Sequence, residues 1–184
     1  MLNWIARRAR RKRNAHDLYG SIVALSRSQV LYAQMGVPDT VEGRFEILVF
    51  HVFACLDRIG RISSENSFLA QDLVNVFFAD MDTTSRELGV GDMAVPKKMR
   101  SLAAVYEERM KTYRQAGEKK SGNSLAAALA GNIFSPADAP AKAPCLAKYV
   151  RDLQKSLSDT GITDLEAGRI RAPDTSMSGG GSEK

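Results

Sequence analysis

Residues 42–60 read EGRFEILVFHVFACLDRIG and form the most apolar stretch of this 184-residue chain. Their apolar side chains fall on nearly all sides of a helix instead of along one face, which is typical of a helix in the middle of a bundle. The longest apolar run, Ile47 to Leu56, is about half of the roughly 20 residues that a membrane-spanning helix needs. The stretch therefore predicts the central helix of an all-helical core.

The sequence also indicates where this central helix begins and ends. Val37 precedes a proline, and a residue in that position avoids helical geometry. Asp39 can then cap the helix, with Glu42 as the second half of a capping box. At the other end, Gly60 suits a left-handed C-terminal stop.

The helical period of apolar residues dominates the rest of the chain. We therefore predict an all-α fold, a single compact helical bundle of about five to seven helices built from residues 14–172. A basic arm precedes it (1–13), an alanine- and proline-rich connector that is not helical throughout interrupts it (135–144), and a disordered Ser/Gly-rich tail follows it (173–184). Besides the central helix, the predicted helices span about 2–13, 14–28, 65–88, 96–115, 125–130 and 145–160, with a polar loop at 116–123.

The charge of the chain is concentrated in the arm. The net charge is +5, but six cations fall within residues 7–13, so residues 14–184 carry about −1. A body that binds nucleic acid would have a basic face of its own, and no specific DNA partner is expected. Trp4 and Ile5 could anchor the arm to an anionic membrane surface, which attracts each nearby cation by about 1 kcal/mol. The alternatives to membrane contact are binding to ribosomal RNA and simple exposure to solvent. The six cations are Arg7, Arg8, Arg10, Arg11, Lys12 and Arg13.

The N-terminus does not have the pattern of a secretory signal peptide. Its apolar part is short, and the charges follow it instead of preceding it. We expect the protein in the cytoplasm, with peripheral contact to the inner membrane as an option.

Residues that could carry chemistry are few. His51 and Cys55 are four residues apart, but both stand on the most apolar helix, whereas a reactive cysteine needs an accessible, electropositive setting. Asp80 and Asp82 point about 160° apart on a helix, and with Asp92 they are the one acidic cluster to weigh as a metal site. Calcium and magnesium need several converging oxygens, so a structural or protein-binding role is favoured. We predict no cofactor, no metal and no catalysis.

Two longer motifs carry a family resemblance. The first is GVPDTVEGRFE at residues 36–46, preceded by Leu18-Tyr19-Gly20. The second runs from FADMD at 78–82 through SRELGVGDM at 85–93 to KKM at 97–99. The chain resembles the bacterial branch of the ubiquinol–cytochrome c chaperone family over residues 18–113 and, more weakly, over 145–172.

The resemblance implies an all-helical factor that helps to assemble the cytochrome bc1 complex. Mitochondrial members of the family bind newly made cytochrome b near the ribosome, together with a smaller partner. The expected function is therefore an assembly chaperone that binds cytochrome b or another bc1 subunit at the inner-membrane surface. The alternatives are a ribosome- or RNA-associated module that acts through the basic arm, and a small enzyme that uses Asp80, Asp82 or His51.

The polar residues of the two motifs are the candidates for partner binding. Antiparallel packing of the central helix and the next helix would bring the start of one to the end of the other. The charged residues at these two helix ends form either a partner surface or a set of surface salt bridges of small net free energy. A partner surface would have aromatic anchors such as Tyr19, Tyr32 and Phe45. The candidate partner-binding residues are Tyr19, Asp39, Glu42, Arg44, Phe45, Asp80, Asp82, Arg86, Asp92, Lys97 and Lys98.

Overall fold

The structure is a computed structural model, and it describes residues 2–62, 67–119 and 123–173. All regular elements among these residues are helices, and six of them are ten residues or longer, so the predicted all-α fold is confirmed. No helix in the described part of the chain is both long and apolar enough to cross a bilayer. The helices are α1 (Leu2–Ser26), α2 (Gln29–Ala33), α3 (Val41–Ile62), α4 (Ser67–Glu87), α5 (Val95–Glu118), α6 (Ser124–Ile133), α7 (Ala139–Ser158) and α8 (Ile162–Glu166).

Helix α3 is the centre of the bundle, as its composition predicts. It packs against α1, α4, α5, α6 and α7. Ile47, Val49, Phe50 and Val52 on different sides of α3 have no exposed surface. A helix surrounded in this way has to be apolar all round, which explains why residues 42–60 show no single hydrophobic face.

Both predicted ends of α3 are wrong by one or two residues. The N-cap is Thr40 and not Asp39, because the Thr40 hydroxyl accepts a hydrogen bond from the Gly43 N–H at 3.1 Å. A hydroxyl at the N-cap satisfies one of the free N–H groups of the first turn. Gly60 does not end the helix, which continues to Ile62.

The basic arm is part of a longer helix. Residues 2–13 and 14–28 were predicted as two helices, but α1 runs without a break from Leu2 to Ser26. No proline or glycine stands near residue 13 to interrupt it, so helical hydrogen bonding continues through the arm. The predicted tail, apart from residue 173, and the predicted start of the fourth helix at Ser64 lie outside the described residues.

The connector at 135–144 is more helical than predicted. Only residues 135–138 form a turn, and α7 begins at Ala139 with Pro140 in its first turn, where a missing N–H does no harm. Pro144 lies inside α7. Its missing hydrogen bond is outweighed by packing, since Leu146, Val150 and other α7 side chains are fully buried against α6 and α3.

The order of the helices brings the two motifs to one end of the bundle. Arg11 lies near Asp72 and Tyr19 near Asp80, so α1 and α4 run in parallel. Helices α3 and α5 each pack on α4, with Phe45 against Phe77 and Tyr106 against Phe78. The Tyr32 hydroxyl, which lies near Arg44 and Asp39, donates to the Ser26 carbonyl and so places the start of α3 beside the end of α1. The end of α1, the start of α3, the end of α4 and the start of α5 therefore meet, and we call this region the motif end.

Candidate protein-binding site

The first motif, residues 36–46, is shaped by two glycines that its backbone requires. Gly36 has a φ of 70°, a left-handed conformation that side-chain-bearing residues rarely adopt. Gly43 stands in the first turn of α3, and a Cβ there would lie 2.1 Å from the Pro38 carbonyl oxygen. Val37 between them is buried, and its N–H donates to the Leu31 carbonyl at 3.0 Å. The loop before α3 is thus folded tightly onto the first turn of that helix.

Asp39, Arg44 and Glu46 are three of the four charged residues of the first motif, and each is paired within the protein. Arg44 donates to Asp39 at 2.5 Å on the surface, and this hydrogen bond lowers the pKa of Asp39. Glu46 is buried and accepts hydrogen bonds from Arg109 of α5, the shortest at 2.8 Å from Nε and 2.9 Å from Nη2. A forked pair of this kind fixes both position and angle of the two helices. Glu42 is exposed.

Arg109 did not emerge from the sequence as a site residue. It lies 63 residues from Glu46 in the chain. The available signal was Glu46 itself, a carboxylate within an apolar helix, because a buried charge needs a partner.

The aromatic residues predicted as anchors are largely used inside the fold. The Tyr19 hydroxyl donates to Asp80 at 2.7 Å, and its ring lies edge-on to Phe77 at 6.4 Å. Burial, followed by this hydrogen bond to the carboxylate, raises the pKa of Tyr19. Tyr32 donates to the Ser26 carbonyl at 2.7 Å, and Phe45 is partly buried near Phe77. Tyr19 and Asp80 thereby tie α1 to α4.

In the second motif, a single arginine bridges the turn between α4 and α5. Arg86 donates to Asp82 at 2.8 Å and to Asp92 at 2.5 Å. Gly89, with a φ of 83°, allows the chain to turn between these two carboxylates. Asp80 faces α1 instead, so the structure does not bring the three aspartates together. Among the described residues, no group of three or more His, Cys, Asp and Glu is placed to hold a metal ion.

Several side chains at the motif end are left in solvent. Val41 is 61% exposed, Leu88 62% and Met93 97%. Lys97 and Lys98 are exposed in the first turn of α5. The pairs described for Arg86 lie within its own motif, and among the described residues no ion pair joins it to the charged residues at the start of α3. Leu88, Met93, Lys97 and Lys98 thus place apolar and cationic side chains close together in the chain.

His51 and Cys55, the candidates for an enzyme, are packed in the core. A carbonyl can only accept, so His51 Nδ1 donates to the Ile47 carbonyl at 2.8 Å and Nε2 accepts from the Tyr149 hydroxyl at 2.6 Å. Burial lowers the pKa of His51 to about 4 and raises the pKa of the Cys55 thiol to about 12. A neutral histidine with both nitrogens occupied and a protonated thiol are structural groups.

The basic half of α1 lies at the opposite end of the bundle from the second motif. The Arg11 guanidinium lies 4.6 Å above the centre of the Phe68 ring and 3.8 Å from Asp72. The side chains of the other arm cations are exposed, whereas those of Trp4 and Ile5 lie outside the described part of the structure. These exposed cations are Arg7, Arg8, Arg10, Lys12 and Arg13.

Comparison with protein families gives a match over most of the chain. A family model described as ubiquinol-cytochrome C chaperone matches residues 33–172. Among solved structures, the crystal structure of the Cbp3 homolog from Brucella abortus is similar with a TM-score of 0.77. The two sequences are 35% identical, and the likeness covers 95% of this chain and 97% of that one.

Curated relatives from vertebrates are more distant. The chain is 25% identical over 135 residues to ubiquinol-cytochrome-c reductase complex assembly factor 1 of Xenopus laevis, which covers 73% of this chain and 67% of that protein. It is 24% identical over 149 residues to the assembly factor 1 of Mus musculus, covering 80% of this chain and 50% of the relative. The chain thus spans about half the length of the mouse protein.

Proposed function

The chain belongs to the ubiquinol–cytochrome c chaperone family, and on that premise we propose that it is an assembly chaperone for complex III, ubiquinol–cytochrome c reductase. In this proposal it binds newly made cytochrome b, or another bc1 subunit, on the cytoplasmic face of the inner membrane. It holds the client by noncovalent contacts and catalyses no bond chemistry.

The exposed turn at the motif end is the observation that carries this proposal. Leu88 and Met93 flank Gly89 and expose 62% and 97% of their surface. An apolar side chain that stays in water contributes little to folding. Burial of Leu88 and Met93 against a partner would therefore add hydrophobic free energy to binding. Methionine adapts to different apolar shapes, which suits a client that is still folding.

Two exposed lysines near this turn support a client with acidic groups. Lys97 and Lys98 are exposed next to it, whereas Asp82 and Asp92 are already paired with Arg86. Complementary charge at the rim of an interface speeds encounter and sets register more than it adds affinity. Lys97 and Lys98 therefore orient the client, and Leu88 and Met93 supply the affinity.

The basic half of α1 supports contact with the membrane. Each cation near an anionic lipid surface contributes about 1 kcal/mol, and Arg10, Lys12 and Arg13 are exposed on a helix. This helix end is on the opposite side of the bundle from the turn at Leu88. In the proposed arrangement the protein rests on lipid with one end and holds its client with the other.

The experiment that tests the function is deletion of the gene followed by complementation. Complex III content is measured by reduced-minus-oxidised haem spectra and native gels, with an unrelated respiratory enzyme as the internal control. We expect complex III to fall several-fold and to recover with the intact gene. Normal complex III in the deletion strain would refute the proposal.

The exposed cations of α1 keep ribosome association as a second candidate function. A variant with Arg10→Glu, Lys12→Glu and Arg13→Glu separates the two, because these side chains are exposed and their change leaves the packing of Arg11 on Phe68 untouched. Loss of flotation with anionic vesicles alone supports membrane contact. Loss of ribosome co-sedimentation alone supports the second candidate.

A further inference from the structure

An open groove of about 280 Å³ runs between α3 and α5, away from the residues assigned above. Its floor is made of Phe53 and Leu56 from α3 and of Tyr106 and Met110 from α5. Sites for small molecules and cofactors usually measure about 300–1,000 Å³ and enclose their ligand. The groove lies near the lower end of this range and has room for one or two side chains of another polypeptide.

The rim of the groove has a net positive charge. Asp57 and Arg61 are four residues apart on α3 and form an ion pair at 2.7 Å, so their charges offset each other. Arg114 of α5 is exposed, and its charge acts on Tyr106, where it opposes the rise in pKa that burial causes. The guanidinium of Arg114 is exposed at the groove and can pair with a carboxylate that enters it.

Gly60 keeps one side of the groove free of a side chain. It lies inside α3 with an ordinary helical conformation, and a Cβ built there would meet no heavy atom within 4 Å. Neither a turn nor a close contact requires glycine here, and glycine within a helix costs about 1 kcal/mol relative to alanine. The position offers a way to close the groove by substitution without disturbing the core.

We propose that this groove binds a short segment of the complex III client that combines an apolar side chain with a nearby carboxylate. The apolar side chain packs on Tyr106 and Met110, and the carboxylate pairs with Arg114. Tyrosine and arginine are enriched among the residues that dominate binding free energy at interfaces, and the methionine lets the floor adapt. The inference rests on the function proposed above and adds the chemistry of the segment that is recognised.

The test uses the full chain and fluorescein-labelled synthetic peptides that tile the cytochrome b encoded by the same genome, with binding followed by anisotropy. We expect binding by peptides that contain an apolar residue close to Asp or Glu. Gly60→Trp should abolish it by filling the groove. Gly131→Trp is the matched control, because Gly131 is also helical, exposed and without a neighbour within 4 Å of its Cβ, and should bind normally.

Charge reversal gives the second arm. Arg114→Glu should weaken binding about tenfold, equivalent to about 1.4 kcal/mol. A peptide whose carboxylate is replaced by lysine should bind this variant better than it binds the wild type, because the pair is restored with opposite sign. Gly60→Ala, which adds one methyl group and removes the helix-weakening glycine, should bind as the wild type and melt at a higher temperature.

Any of three results would contradict client binding in the groove. They are equal binding by Gly60→Trp and the wild type, no recovery with the lysine peptide, and no binding by any tiled peptide. Complex III content in cells separates this failure from failure of the proposed function. If the deletion strain lacks complex III but the Gly60→Trp strain assembles it normally, the groove proposal fails and the proposed function stands. A deletion strain with normal complex III overturns the function itself.

Discussion

The two motifs that carry the family resemblance are used in different ways by the same fold. In residues 36–46 the polar residues and glycines serve folding: Gly36 and Gly43 allow the backbone path, Thr40 caps α3, and Glu46 binds Arg109. In residues 85–98 a bridged turn leaves large apolar and cationic side chains in water. A polar motif whose role in packing is not evident from the sequence can therefore either stabilise the fold or form a contact surface. The hydrogen-bond and ion-pair partners of its residues in the structure distinguish the two.

The largest effect we expect is from Gly43→Ala. The added methyl group would lie 2.1 Å from the Pro38 carbonyl oxygen, a backbone atom, so the loop or the first turn of α3 has to move. Such overpacking should lower the free energy of unfolding by about 3 kcal/mol, measured by urea titration. Gly20→Ala in α1, whose Cβ has open space, is the control and should raise stability slightly. Equal stability of the two variants would contradict a folding role for the first motif.

The next largest effect on stability is expected from removal of the Arg109 charge that pairs with Glu46. Arg109→Met keeps most of the apolar stem but leaves the buried carboxylate without its forked partner, and the unpaired group should lower stability by about 2 kcal/mol. The comparison variant is Arg86→Met, whose exposed pairs with Asp82 and Asp92 should leave the unfolding midpoint almost unchanged. If Arg86→Met were the more damaging of the two, the contrast between the motifs would be reversed.

A smaller loss is expected for Tyr19→Phe, which removes the hydroxyl that binds Asp80. Loss of one partly buried hydrogen bond should lower the free energy of unfolding by about 1 kcal/mol. Near-wild-type complex III assembly in cells would place Tyr19 with the folding residues of the first motif. Normal stability together with lost assembly would return it to the partner surface.

The sequence predicted the class of the fold and its centre because apolar periodicity is a local property. An apolar run on all sides of a helix specified α3, and the Gly89 turn and Pro96 specified the start of α5. The helix boundaries at residue 13 and in 139–144 could not be predicted, because packing across the bundle decided them. The same limit applies to the site: which of Tyr19, Glu46 and Asp80 face inward depends on partners 61 or 63 residues away.

The smallest effect on stability, and the sharpest test of the contrast, comes from Leu88→Ser with Met93→Ser. Both side chains are mostly in water, so the free energy of unfolding should change by no more than about 0.5 kcal/mol, while client binding should weaken about tenfold or more because the apolar anchors are gone. Phe68→Ser is the matched control for client binding, because it is an equally exposed apolar residue at the opposite end, and it should leave the affinity for the client unchanged. Since stability and assembly are measured on the same variants, a paired loss in both would mean that the turn is another folding device, and only loss of assembly with an intact fold makes it a contact surface.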